Sequence, residues 1–118
     1  MDHKGIIIRQ PFADWIVGGR KTWELRGSAT KVRGRIAIIA GGTGTIVGTC
    51  ELCDVEGPLK LKDLRANAKK LNARADDISG PLHYGDHTFA WVLRGAKRLK
   101  KPVPYDHPRG AVIWVRLS

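Results

Sequence analysis

The period of the hydrophobic positions changes several times along the chain, and each change marks an element. Gly5-Ile6-Ile7-Ile8-Arg9 is short, β-branched and apolar, the pattern of a buried first strand that delivers Arg9 and Gln10 to the edge of a cleft. Behind Pro11, whose missing N–H suits the first turn of a helix, Phe12, Trp15 and Ile16 fall at i, i+3 and i+4 and define one apolar helical face. Gly18-Gly19 offers the left-handed backbone that ends a helix. From Lys21 to Arg26 the side chains alternate, Trp23 and Leu25 to one side, Thr22, Glu24 and Arg26 to the other, so Glu24 and Arg26 are same-face neighbours on a strand. After a polar loop through Ser28, Thr30 and Lys31, Gly34 opens a continuous apolar run from Arg35 to Ala40, which predicts a strand buried on both faces.

The second half repeats this logic. Gly41-Gly42-Thr43-Gly44-Thr45 reads as a flexible hairpin turn, and Thr45 to Val55 alternates as a strand. From Pro58 onward Leu61, Leu64, Ala68 and Leu71 recur at helical spacing, with Lys62, Arg65, Lys69, Lys70 and Arg74 turned elsewhere. Asp76 to Pro81 is then a loop and the expected mobile segment. Alternation returns from Thr88 to Arg94, and Pro102 and Pro104 confine the following extended segment to a sheet edge. A turn at Asp106 to Gly110 leads to a final strand, Ala111 to Leu117, with Trp114 and Arg116 on one face. Strands outnumber helices about six to two, which predicts an α+β, predominantly β architecture: a small closed or partly closed barrel of about six strands with two or more peripheral helices. With no linker, repeat or low-complexity tract, residues 1–118 read as one domain, long enough to bury a core without staples.

Composition adds constraints. No apolar run approaches the roughly 18 residues of a membrane span, and Met1-Asp2-His3-Lys4-Gly5 lacks the layout of a signal peptide, so a cytoplasmic protein is expected. Lysine and arginine number 21 against 11 acids, giving a net charge of +10 and a pI near 10.1. Such an excess draws polyanions, nucleic acid first among them. The cations are clustered. Arg20, Lys21, Arg26, Lys31, Arg33 and Arg35 form one block, and Arg94, Lys97, Arg98, Lys100 and Lys101 form a second that contains no acid.

Two motifs fail on context. The glycines at 41–44 are not followed by a Lys-Ser/Thr pair or by a helix, so they are no phosphate loop, although they can border a ligand. Cys50 and Cys53 with His83 and His87 resemble a zinc pattern, but the intervening segment is about twice the usual length, and residues three apart on a strand face opposite ways. Neither a metal nor a cofactor is expected. No Ser-His-Asp order or paired catalytic carboxylates stand out.

The densest chemistry lies at the helix-to-strand junction, Gly19-x-Lys21-x-x-Glu24-x-Arg26. With Gln10-Pro11-x-Ala13 before it, Gly34-Arg35-Ile36-Ala37-Ile38 after it, and Val47 to Leu52 and Phe89 to Leu93 beyond, the chain resembles the ASCH domain, a family of PUA-like β-barrels, over nearly its whole length. The resemblance implies a cleft for RNA or single-stranded nucleic acid, or for a nucleoside or nucleotide. Lys21 and Arg26 would neutralise phosphates, Gln10 would read a base edge, and Trp15 or Trp91 would offer a stacking plane, with Arg9, Glu24 and Arg94 also contacting ligand. It also implies an alternative, since some relatives are amidohydrolases of acylated cytidine or nucleases. Where that amidohydrolase branch carries a threonine this chain has Glu24, which would then be the general base, with Lys21 and Arg26 stabilising the oxyanion. A purely structural Lys-Glu-Arg network is the third reading.

Overall fold

The computed structural model describes residues 4–117. Expectations resting on Met1, Asp2 and His3 lie outside the described residues. The element order is β1 (Lys4–Ile8), α1 (Phe12–Val17), β2 (Trp23–Arg26), β3 (Gly34–Ala40), β4 (Thr45–Glu56), α2 (Leu61–Ala66), three short 3₁₀ turns, β5 (Phe89–Pro104) and β6 (Trp114–Arg116). The six strands form one sheet in the order β2-β5-β4-β3-β1-β6. β1 runs parallel to β3, and the other neighbours are antiparallel. No helix among the described residues is long and apolar enough to cross a membrane.

The apolar run of β3 is buried from Ile36 to Ala40, as a strand covered on both faces must be. Ile36, Ile38 and Ala40 meet Ile6 and Ile8 of β1, Cys50 and Leu52 of β4, and α1 on one face, while Ala37 and Ile39 join Ile46 and Val115 on the other. Under α2, Leu64 and Leu71 close over Trp23 and Ala90.

Three local expectations change in the structure. The face that α1 buries is Ala13, Ile16 and Val17, while Phe12 and Trp15 lie half-buried on its flank, packed edge to face at 5.5 Å. Small Ala13 lets the helix sit close on the sheet, which displaces the bulkier rings sideways. The helical period after Pro58 breaks at Asn67, whose side-chain amide donates to the Asp63 carbonyl, and resumes as a 3₁₀ turn over Ala68–Leu71 that keeps Ala68 and Leu71 buried. The closing strand is shorter than Ala111 to Leu117, because a turn in which the Ala111 N–H donates to the Pro108 carbonyl occupies its start. Pro102 and Pro104 are tolerated because β2 pairs with β5 only at Phe89 to Val92, which leaves the far half of β5 with β4 alone as its neighbour.

A side chain links edge strand β2 to β1 near the other end of the sheet. Arg26 on edge strand β2 donates from Nη2 to the Ile7 carbonyl of β1 at 2.8 Å, across a separation of 19 residues. Elsewhere α1 approaches β4 at Gly48, where a methyl group would lie 2.5 Å from both Val17 Cγ1 and the Lys97 carbonyl oxygen. Gly48→Ala is therefore expected to lower folding stability by about 1–3 kcal/mol through overpacking. Urea denaturation measures it; an unchanged midpoint would mean that α1 packs less closely than this.

Candidate functional site

The junction after α1 sets the site. Gly19 takes the left-handed conformation at φ 77°, and the N–H groups of Arg20 and Lys21 both donate to the Trp15 carbonyl, at 2.9 and 3.1 Å. This tight reversal turns Lys21 inward, where it is 6% exposed beside Glu24, also 6% exposed. The strand period then places Arg26 on the Glu24 side, and Arg26 Nη2 and Nε donate to Glu24 Oε2 at 2.9 and 3.2 Å. The guanidinium also covers the Trp91 ring, 5.4 Å from its centroid.

These contacts divide the two cations. Arg26 is committed to Glu24 and to the Ile7 carbonyl. Lys21 lies 5.2 Å from the centroid of Phe12, and its ammonium makes no hydrogen bond among the described residues. Burial pushes the Lys21 pKa below the usual lysine value, against a smaller upward pull from the Glu24 carboxylate. An ammonium with open donors and an ion pair beside it therefore face the same space.

That space is a cavity of about 570 Å³. Lys21, Glu24 and Arg26 supply its polar wall and Arg9 is exposed at its rim. Ile7, Phe12, Leu25, Leu64, Leu82 and Val112 supply its apolar lining. Gly41, from the glycine-rich turn, borders it as well.

The structure brings Arg9, Lys21, Glu24 and Arg26 together and leaves the other sequence candidates elsewhere. Gln10 does not line the cavity; its side-chain oxygen accepts the Asp14 N–H at 3.0 Å and so serves the start of α1. Trp15 packs on Phe12 away from the lining. Arg94 is exposed on β5 and pairs with Glu51 of β4 at 3.3 Å. Trp91 is no open stacking plane: it is 2% exposed, stacks on Trp114 at 5.7 Å, and donates its indole N–H to the Ser28 carbonyl. Thr22, which shares the Glu24 face in the strand pattern, does not reach the lining. Cys50 is buried and Cys53 half-buried, and no disulfide joins them.

Sequence reasoning missed part of the lining. His83, Tyr84 and Thr88 line the cavity from the segment just before β5. That segment is tied down by the His87 Nδ1 contact with the Gly27 carbonyl at 2.9 Å and by the Thr88 hydroxyl donating to the Gly85 carbonyl at 2.9 Å. The available signal was an aromatic pair, His83-Tyr84, in a loop bounded by Pro81 and Gly85.

Comparison with known proteins agrees with this architecture. The ASCH domain family model matches residues 6–103. A UPF0098 protein of Pyrococcus abyssi is 34% identical over 56 residues, which are 48% of this chain and 32% of that protein, so the match spans about a third of the relative's length. The crystal structure of ASCH from Zymomonas mobilis superposes with a TM-score of 0.65 at 18% identity, covering 98% of this chain and 87% of that one. A single-residue variant of the same protein gives a TM-score of 0.64 at 20% identity, covering 98% and 89%. At such identities the likeness is one of fold.

Proposed function

The chain belongs to the ASCH domain family, and from that premise we propose that it is a single-domain module that binds cytoplasmic single-stranded RNA and admits one nucleotide unit to the cavity at Lys21. The observation that carries this reading is the Lys21 ammonium, held without a hydrogen-bonding partner among the described residues against a cavity large enough for a nucleoside. Such a group is stabilised by a ligand that offers it an acceptor. The basic surface supports the same reading, since Arg9 at the rim and Arg20, Lys31, Arg33 and Arg35 beyond it are all exposed.

A salt series with single-stranded RNA tests this. Binding is expected to weaken with a log–log slope of about −0.7 for each phosphate neutralised. Lys21→Met, which keeps most of the side-chain volume and removes the charge, is expected to lower affinity about 10-fold, the order of a hydrogen bond to a charged group. Salt-independent binding, or none at low salt, refutes the proposal.

A second reading is favoured by the lowered Lys21 pKa beside a buried carboxylate, a pairing that recurs where proton transfer occurs. On this reading the chain hydrolyses a modified nucleoside or RNA, with Glu24 as general base for water. Arg26 Nε and Nη2 already hold Glu24 and the Ile7 carbonyl, so oxyanion stabilisation falls first to Lys21, with Arg26 contributing through its charge and Nη1.

A further inference from the structure

Resting on the RNA-binding reading above, we infer that the cavity takes the nucleobase, stacked on the ring of Tyr84, and leaves the sugar and phosphate at the mouth beside Arg9. The charge balance inside argues against a buried phosphate. Glu24 is paired with Arg26, whose Nε and Nη2 are held by its carboxylate and by the Ile7 carbonyl, and Lys21 lines the same cavity. A phosphate entering here would meet the Glu24 carboxylate, whose charge already offsets that of one of the two cations. A neutral planar ring with polar atoms along its edge matches an apolar cavity of this size far better. Lys21 offers that edge donors. Both Arg26 contacts fall on Glu24 Oε2, which leaves Oε1 as an acceptor for a ring or exocyclic N–H.

The stacking surface follows from where each aromatic ring lies. Trp23 and Trp91 are each 2% exposed, and Trp114 lies against Trp91. Trp15 is outside the lining. Phe12 is already flanked by two cations, Lys21 at 5.2 Å and Arg9 at 5.6 Å from its centroid. Tyr84 lines the cavity with no cation over it among the described residues, braced edge to face by His83 at 4.7 Å and seated on Gly27, where a methyl group would come within 2.8 Å of its ring. A ring held this way stacks on a base without first being ordered.

The test compares ribose 5-phosphate with the four nucleoside 5′-monophosphates by calorimetry, on wild type, Tyr84→Phe and Tyr84→Leu. Nucleotides are expected to bind at least 10-fold more tightly than ribose 5-phosphate, a difference that Tyr84→Phe keeps and Tyr84→Leu abolishes. Should Tyr84→Leu fail to fold, the wild type decides: Tyr84 ring protons are expected to move upfield on adding a nucleotide and to stay in place with ribose 5-phosphate. Equal affinity for ribose 5-phosphate and nucleotides, a folded Tyr84→Leu that binds like wild type, or an unmoved Tyr84 resonance overturns the inference. If that happens while RNA binding still depends on salt and Lys21, the RNA-binding reading stands and the base-in mode alone is lost. If neither RNA nor any nucleotide binds, both are lost.

Discussion

Arg26→Ala is expected to lower folding stability by about 3–5 kcal/mol, the range seen when one partner of a buried ion pair is removed. The side chains of Arg26 and Glu24 are 14% and 8% exposed, so the carboxylate left behind stays largely out of water. The same truncation takes the donor from the Ile7 carbonyl and uncovers the Trp91 ring. It also removes the side-chain bridge between the β2 edge of the sheet and β1. Arg26→Lys is expected to fall in between, because an ammonium keeps the charge but lacks the planar fork that reaches Glu24 and Ile7 together. Urea denaturation of the two variants measures the effect. A loss under about 1 kcal/mol for Arg26→Ala, the size of an exposed pair, would mean that β2 is held near β1 by packing and not by this side chain.

Glu24→Gln separates the two functional readings. Glutamine retains an oxygen to accept from Arg26 but cannot take a proton from water at neutral pH. If Glu24 is a general base, hydrolysis of an acylated cytidine or a short RNA is expected to fall by about 10²- to 10⁴-fold with ligand affinity little changed. If the cavity only binds, the loss of one negative charge beside Lys21 is expected to hold or raise affinity for RNA. Melting temperatures of both proteins accompany the assay, since Arg26 loses its charged partner in the variant. A wild type inactive on both substrates, with RNA binding retained in Glu24→Gln, leaves the hydrolase without support. A folded Glu24→Gln that loses a measurable activity overturns the preference for a binder.

Much of the architecture is legible from the chain because periodicity is a local property. The apolar run of β3, the alternation of β4 and the same-face placement of Glu24 and Arg26 each follow from backbone geometry within a few residues. The Gly18-Gly19 stop and the edge position of the proline-containing segment follow from what glycine and proline permit. The pattern around Lys21 was specific enough to identify the family, whose model then matched residues 6–103.

What a side chain faces after the sheet has curled is set by residues far away in sequence. Gln10 and Arg94 have the right chemistry for a ligand, yet one serves α1 and the other pairs across β4 and β5. Arg26 looked like a free cation until the fold placed the Ile7 carbonyl beside it. Tyr84 and His83 reach the cavity because His87 meets the Gly27 carbonyl 60 residues away. The sequence by itself determined the strands, the family and the cluster of Lys21, Glu24 and Arg26. Only the tertiary structure decided that Arg26 is tied to Glu24 and the Ile7 carbonyl while Lys21 is not, and that Tyr84 and His83 also line the site, since long-range contacts leave no periodic trace along the chain.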